Sequence, residues 1–240
     1  MEVKIGTFNI QSCKDYILKE FNPLVHINAI KKFNPDILSL NEVRGEGEDK
    51  YFFNQTRTLA RGAGYKYYFF GQAIILEGKG PYGNAIISKY PILDLEVIKI
   101  PDPLVYDEDT YYESRCIIKA KIKINDSIIY VILTHMGLAK SEEKNATDTV
   151  IKIIEPLINN NKKIILLGDF NMEPDNLNLD RIREYLDDTT DLMNKEPTFP
   201  SVNPIKKIDY IFYKNVIVKS AKVEKIVASD HYPVSAVIDL

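Results

Sequence analysis

Cysteine is scarce in this chain and tryptophan is absent. The two cysteines, Cys13 and Cys116, form neither a C-x-x-C pair nor a zinc spacing, which excludes the common zinc modules. Two reduced thiols are expected rather than a disulfide. A chain of 240 residues can bury roughly 70–75% of its unfolded surface, so it needs no disulfide or structural metal to hold it together. An excess of positive charge is also lacking. Thirty-one basic residues against 34 acidic ones leave a net charge of −3, with a pI near 5.7. That balance argues against a protein that grips nucleic acid through a broad basic face, and leaves room for a local basic patch.

Long apolar runs are missing too. No stretch reaches the ~18 residues of a membrane span. The N-terminal "MEVKIGTFNI" has no basic segment followed by a long apolar one, so no signal peptide is expected and the default location is cytoplasmic. There is no internal repeat and no Pro/Gly/Ser-rich linker, so a single domain over 1–240 is expected. With 45% hydrophobic and 27% charged residues, the composition is ordinary for a globular protein.

What is present alternates between helical and strand patterns. "VKIGTFNI" (3–10) suits a strand. Asn22 as cap and Pro23 at the first helical position start a helix, with Leu24, Ile27 and Ile30 at helical spacing. A short buried strand follows at 35–43, then a helix over 49–62 ending at Gly62 or Gly64. Strands are predicted near 66–71, 84–89, 92–99, 115–124 and 128–135, with a hairpin turn at Asn125-Asp126. A helix over 141–158 places Ala146, Val150, Ile154 and Leu157 on one face, and Pro156 should kink or end it. A strand at 163–168, a helix near 177–187 and strands at 208–213, 216–227 and 233–238 complete the chain. Helices occur in both halves, each followed by strands. Two sheets packed face to face with helices outside accommodate this order.

Several of these strands end in oxygens. "KIILLGDFNMEP" leaves an apolar run and presents Asp169, Asn171 and Glu173 within five residues. "GTFNI" places Asn9 near a strand end, and "ILSLNEV" places Glu42. "IDYIF" carries Asp209 inside an apolar run, and "ASDHYPV" puts Asp230 and His231 before the last strand. Any one of these alone reads as a turn or loop, and His26, on a helix flank, reads as structural. Together they say more. Asp209 is costly to bury without a partner, and histidine, of which there are three, is a good one. Glu42, Asp169 and Asp230 repel one another unless a cation sits among them. A set of carboxylates and amides suits a hard ion such as Mg²⁺ or Mn²⁺, not zinc.

In these segments the sequence resembles the endonuclease/exonuclease/phosphatase superfamily. The matching stretches are "TFNI", "NEV", "ESR", "THMG", "GDFN", "IDYIF" and "SDHYPV", in the family's order from residue 7 to residue 234. The resemblance implies a four-layer α/β/β/α sandwich of two packed mixed sheets with the site at one edge. It implies that Glu42 is the principal Mg²⁺ ligand, with Asn9 and Asp230 close to the metal. Asp169 and Asn171 would face the scissile phosphate and the attacking water, and Asp209 would hold His231. His135 would be a second active-site histidine. Glu113 and Arg115 match an "E-x-R" element that steers His135 or the phosphate, and Asn84 matches another substrate-lining position. Glu173 lies beyond the motif and reads as a helix or turn residue.

The implied reaction is hydrolysis of a phosphate ester by in-line attack of water, by a monomeric enzyme. The leading expectation is a Mg²⁺-dependent phosphodiesterase, with nucleic acid or nucleotide among its candidate substrates. A phosphomonoesterase and a phospholipid head-group diesterase are the enzymatic alternatives, and a catalytically silent binding module is the non-enzymatic one. The basic, aromatic DNA-contact loops of the AP-endonuclease branch are not evident in an acidic chain without tryptophan. Residues 101–113 are expected near the site rim, where Tyr106, Tyr111 and Tyr112 either stack on a base or head group or belong to an exposed acidic loop.

Overall fold

The computed structural model describes residues 1–240. The chain begins with β1 (Glu2–Asn9), α1 (Pro23–Phe33), β2 (Ile37–Arg44), α2 (Gln55–Ala63), β3 (Tyr67–Leu76) and β4 (Gly80–Ser88). It continues through β5 (Ile92–Lys99), β6 (Cys116–Ile124), β7 (Ser127–His135), α3 (Lys140–Asn159), β8 (Lys163–Asp169) and α4 (Leu177–Arg183). It closes with β9 (Asp187–Asp188), β10 (Asp209–Lys214), β11 (Ile217–Val223) and β12 (Val234–Asp239).

The strands form two six-stranded sheets, in the orders β11-β12-β1-β2-β4-β3 and β5-β6-β7-β8-β10-β9. Each is mixed, because β1 and β2 run parallel in one and β7 and β8 run parallel in the other. One apolar layer lies between the sheets, with Ile5, Ile37, Ile86, Ile118, Val131, Leu167 and Ile211 fully buried. A second layer joins α1 and α2 to the outer face of the first sheet through Ile27, Ile30, Phe33, Leu59, Phe8 and Leu40. A third joins α3 and α4 to the second sheet through Val150, Ile154, Ile182, Leu166 and Phe212. Four layers, α/β/β/α, follow from these three cores. Central strands covered on both faces need continuous apolar runs, which is why "IILL" in β8 does not alternate.

Some elements differ from the sequence pattern. Leu24 faces solvent, and only Ile27 and Ile30 of that stripe are buried. The helix expected from 49 starts at Gln55, where the Asn54 side chain accepts from Arg57 N, and ends on left-handed Gly64. Helix α3 runs through Pro156 to Asn159. Pro156 and Lys152 are both exposed, so the carbonyl that loses its N–H partner lies on the water side of the helix. The β-pattern of 216–227 ends at Val223.

The register places chemistry at one rim. Asn9 is opposite Asn41, His135 is opposite Asp169, and Asp169 is opposite Asp209. The C-terminal ends of β1, β2, β7 and β8 therefore lie beside the N-terminal end of β10. β12 pairs antiparallel to β1 with Val234 opposite Thr7, so Asp230 and His231 enter at the same edge.

Candidate active site

Gly168 brings β8 against β7 at this rim. Its φ is +149°, and a Cβ there would lie 1.9 Å from the Thr134 carbonyl oxygen. Only glycine permits this approach, which sets Asp169 beside His135. On the facing sheet, β2 slips register against β4 between Leu40 and Val43, and Glu42 has a left-handed φ of +58°. A bulge of this kind re-aims side chains. Asn41 turns into the gap between the sheets, and Glu42 reaches the cleft.

Asn41 Nδ2 donates to Asn84 Oδ1 at 2.8 Å and to the Thr134 carbonyl at 2.8 Å, while its Oδ1 accepts from Asp169 N at 3.1 Å. Asn84 Nδ2 donates to the Cys116 carbonyl at 2.9 Å. These two buried amides tie one sheet to the other beneath the site. Asn84 is thus bonded inside the sandwich and is not among the residues that line the cleft.

Asp169 is the hub. Asn9 Nδ2 bridges Asp169 Oδ2 and Glu42 Oε1, each at 3.0 Å, while Asn9 Oδ1 accepts from Gln11 N. Asp169 Oδ1 accepts from Asn171 N at 3.0 Å, and Asn171 Nδ2 donates to the Met136 carbonyl. Asp209 Oδ2 accepts from His231 Nδ1 at 2.9 Å, which leaves His231 Nε2 3.6 Å from Asp169 Oδ2. Arg115 Nη1 donates to His135 Nδ1 at 2.8 Å. The same guanidinium nitrogen is 3.4 Å from Nε2, and the shorter contact is the hydrogen bond. Arginine can only donate, so the His135 proton is on Nε2, 3.6 Å from the same Asp169 Oδ2. Two imidazole N–H groups therefore flank one carboxylate oxygen.

The protonation states follow from surroundings. Burial works against a charged His231, but the Asp209 and Asp169 carboxylates outweigh it and raise it to about 10. Burial, the Arg115 cation and the His231 charge all lower His135, which is neutral. Burial raises Asp169, partly offset by His231. Burial also raises Glu42, and Asp230 adds to that against the Asn9 amide. Glu113 Oε1 lies 2.7 Å from Arg115 Nη1, an ion pair without hydrogen-bond alignment.

Residues lining a cleft of about 1020 Å³ include Glu42, Arg115, His135, Asp169, Asn171, Asp230 and His231. Exposed Glu173 lies on its rim. Of the three tyrosines expected there, only Tyr111 lines it; Tyr106 and Tyr112 pack edge to face at 4.8 Å. Their loop is pinned by Glu108, which accepts from Lys140 N and Ser141 N at the start of α3. His26 lies away from the cleft, stacked on Phe8 and held neutral by burial at about 4.

The donor set fits a hard divalent ion. Glu42 and Asp230 press on each other electrostatically, and Glu42 Oε1 has only an amide partner. Asp230 accepts from Gln11 Nε2 at 2.7 Å and from Ser229 Oγ at 2.9 Å. Oxygen donors without a thiolate suit Mg²⁺ better than zinc. Asn9 presents its N–H₂ to Glu42, so in this orientation it bridges two carboxylates. Asp169, Asp209 and His231 also place ligand atoms within 4.8 Å of one another.

Four residues were not apparent from the sequence. Asn41, Gln11 and Tyr82, a buried tyrosine that lines the cleft, have ordinary loop or strand contexts. Lys207 carried a signal, a second lysine before the apolar "IDYIF". It is buried, donates to the Asp209 carbonyl oxygen at 2.7 Å and lies over the Tyr210 ring at 3.8 Å.

The fold recurs among solved structures. An endonuclease/exonuclease/phosphatase from Beutenbergia cavernae superposes with a TM-score of 0.83 at 21% identity, over 100% of this chain and 72% of that one. The mannosyl-6-phosphatase Bt3783 of Bacteroides thetaiotaomicron gives 0.78 at 17% identity, over 99% of this chain and 100% of that one. Truncated Caenorhabditis elegans TDP2 gives 0.73 at 14% identity, over 100% and 98%. A search of curated proteins found no match. A family profile described as "Endonuclease/Exonuclease/phosphatase family" matches residues 6–231, which takes in every rim residue from Asn9 to His231, and the chain belongs to that family.

Proposed function

We propose that the protein is a Mg²⁺-dependent phosphodiesterase that hydrolyses its ester by in-line attack of water. The observation that carries this reading is the pair of imidazole donors, His135 and His231, each 3.6 Å from Asp169 Oδ2. A tetrahedral phosphate held by two N–H donors would have a carboxylate beside its attacking water. His231 is held protonated by Asp209, so it donates to a phosphate oxygen. That leaves Asp169, with its raised affinity for a proton, to accept the proton of the water. Asn171 orients Asp169 through its backbone N–H. His135, neutral with its proton on Nε2, donates to the phosphate or to the leaving oxygen. Glu42 and Asp230 would hold Mg²⁺ or Mn²⁺, with Asn9 orienting Glu42 through its N–H₂ rather than ligating, and such an ion would neutralise charge on the phosphate oxygens.

The wing of the cleft formed by Glu143, Glu173 and Asp175, with Lys140 as the cation beside Glu143, is acidic on balance, which favours a small ester over a long polyanion on that side. A phosphomonoester is the second reading, favoured by the same wing and by the likeness to a protein described as a mannosyl-6-phosphatase. The test is a substrate panel: bis-p-nitrophenyl phosphate, a dinucleotide, single-stranded DNA, RNA, p-nitrophenyl phosphate, inositol phosphates and sphingomyelin, each with Mg²⁺ and with EDTA. Turnover of diesters that EDTA abolishes is expected. Turnover of monoesters alone would move the assignment to the second reading, and none at all would remove both.

A further inference from the structure

A second cleft of about 780 Å³ lies on the other side of Gln11. Gln11 lines it and also donates to Asp230, which lines the first cleft. The two clefts therefore share a wall at the candidate metal site. Their charge differs. The catalytic cleft has an acidic wing, whereas the second is lined by Lys14, Lys19, Lys50, Lys79 and Arg44 against three acids. One of those acids, Glu77, is paired with Lys79 at 2.7 Å, and another, Asp49, accepts from the Tyr51 backbone. Lys14, Lys19, Lys50 and Arg44 have no carboxylate partner. In a chain of net charge −3, five cations against three acids make this lining locally positive.

The wall is also built. Three consecutive residues, Gln11, Ser12 and Cys13, have left-handed φ of 44°, 53° and 62°. Gln55, fully buried, holds this turn by donating to the Ser12 carbonyl at 2.9 Å, and it accepts from Arg44 N at 2.8 Å. The Arg44 guanidinium lies 4.6 Å over the Phe52 ring, and its buried Nε has no hydrogen-bond partner. Phe21 and Tyr51 meet edge to face at 5.9 Å, with Tyr51 exposed in the same cleft. An oriented arginine with a spare donor, lysines without carboxylate partners, two of them lying over the Tyr16 and Tyr51 rings, and an aromatic edge suit a phosphate-bearing group.

We propose that this cleft binds a second phosphate of the same substrate, displaced from the scissile one across Gln11. The proposal rests on the phosphodiesterase reading for the first cleft and assigns the substrate a second anionic group. The scissile phosphate sits at the histidines and Asp169, and the chain carrying the second phosphate turns past Gln11 into the basic cleft. Small substrates with two phosphates, either a nucleotide or a polyol phosphate, share this chemistry.

The decisive variants are Lys14→Glu and Lys50→Glu, singly and together, because both side chains are exposed and neither belongs to the catalytic cleft. Binding is measured first by calorimetry in EDTA, with thymidine 3′,5′-bisphosphate and inositol 1,4-bisphosphate as probes. Wild-type protein is expected to bind at least one, and the double variant to bind it at least tenfold more weakly. Unchanged binding, or no binding of either probe by wild type, overturns the proposal. The better probe identifies the substrate class. Turnover is compared next, using thymidylyl-thymidine with and without a 5′-phosphate, and bis-p-nitrophenyl phosphate. The double variant should lose about tenfold in kcat/KM only where the extra phosphate is present. Equal losses on all three would also overturn the second site. Bisphosphate binding that the charge reversals weaken, without hydrolysis of any ester, would sustain the cleft and reject the catalytic reading instead.

Discussion

At the scale of single residues, the pair Asp209 and His231 is expected to act as one unit. Asp209 needs a partner inside the sandwich, and its bond to Nδ1 fixes both the tautomer and the charge of His231. Asp209→Asn is expected to lower kcat by about 10²–10⁴-fold. Combining it with His231→Ala should cost hardly more than His231→Ala alone. A double-mutant cycle on kcat/KM, with circular dichroism as a control for folding, measures this, and independent losses would dissolve the dyad. Arg115 is the corresponding partner of His135. Burial, its cation and the nearby His231 charge keep His135 neutral. Without the cation the imidazole binds a proton more readily, so its pKa rises toward neutrality. Arg115→Met should therefore change the acid limb of the pH–rate profile, where His135 would now titrate, and, by freeing Nδ1 and so the tautomer that places the proton on Nε2, lower kcat/KM by about 10². An unchanged acid limb would take Arg115 out of that role.

At the scale of elements, the glycine that ends β8 sets how closely β7 and β8 approach. Gly168→Ala would press a methyl into the Thr134 carbonyl, which also serves Asn41. Destabilisation of about 2–4 kcal/mol is expected, read from urea unfolding, together with loss of activity in the remaining folded protein. Full stability would show that the two strands can separate at no cost. The sequence displayed this glycine inside "LLGDFN" but not its reason, because the neighbour it makes room for is 34 positions earlier in the chain. The same distinction runs through the rest of the molecule. Asp209 was legible because one carboxylate in an apolar strand violates the local pattern. The bulge at Glu42 was not, since no glycine or proline marks it and a left-handed φ leaves no trace in "LNEV". Asn84 was legible as a special residue but not as a tie between sheets, because Asn41 and Cys116 meet it only after packing. Pro156 misled for a local reason: its lost hydrogen bond falls on the watered side, one turn from the helix end.

At the scale of the whole molecule, the site combines carboxylates that burial and mutual repulsion disfavour. A cation that binds the folded chain and not the unfolded one relieves this. Mg²⁺ at 100 times its dissociation constant should stabilise the fold by about 2.7 kcal/mol, visible as a higher melting temperature. Glu42→Gln is expected to remove most of that increment and most of the activity without unfolding the protein. An equal Mg²⁺ shift in both proteins would take Glu42 out of the ion's coordination. The order of layers was readable because each sheet is fed by its own helices, so the periodicities arrive in two similar series. The location of the rim was not, since it depends on which strands run parallel, a property of pairing and not of pattern. Asn41 gives this arrangement a consequence in time. Its amide belongs to one sheet, and two of its partners, Thr134 and Asp169, belong to the other. On the proposed reading, turnover requires both sheets to have met, in whatever order their strands form during refolding. Recovered activity therefore serves as a clock for that meeting, and it can lag the far-ultraviolet signal but never precede the closing of the seam.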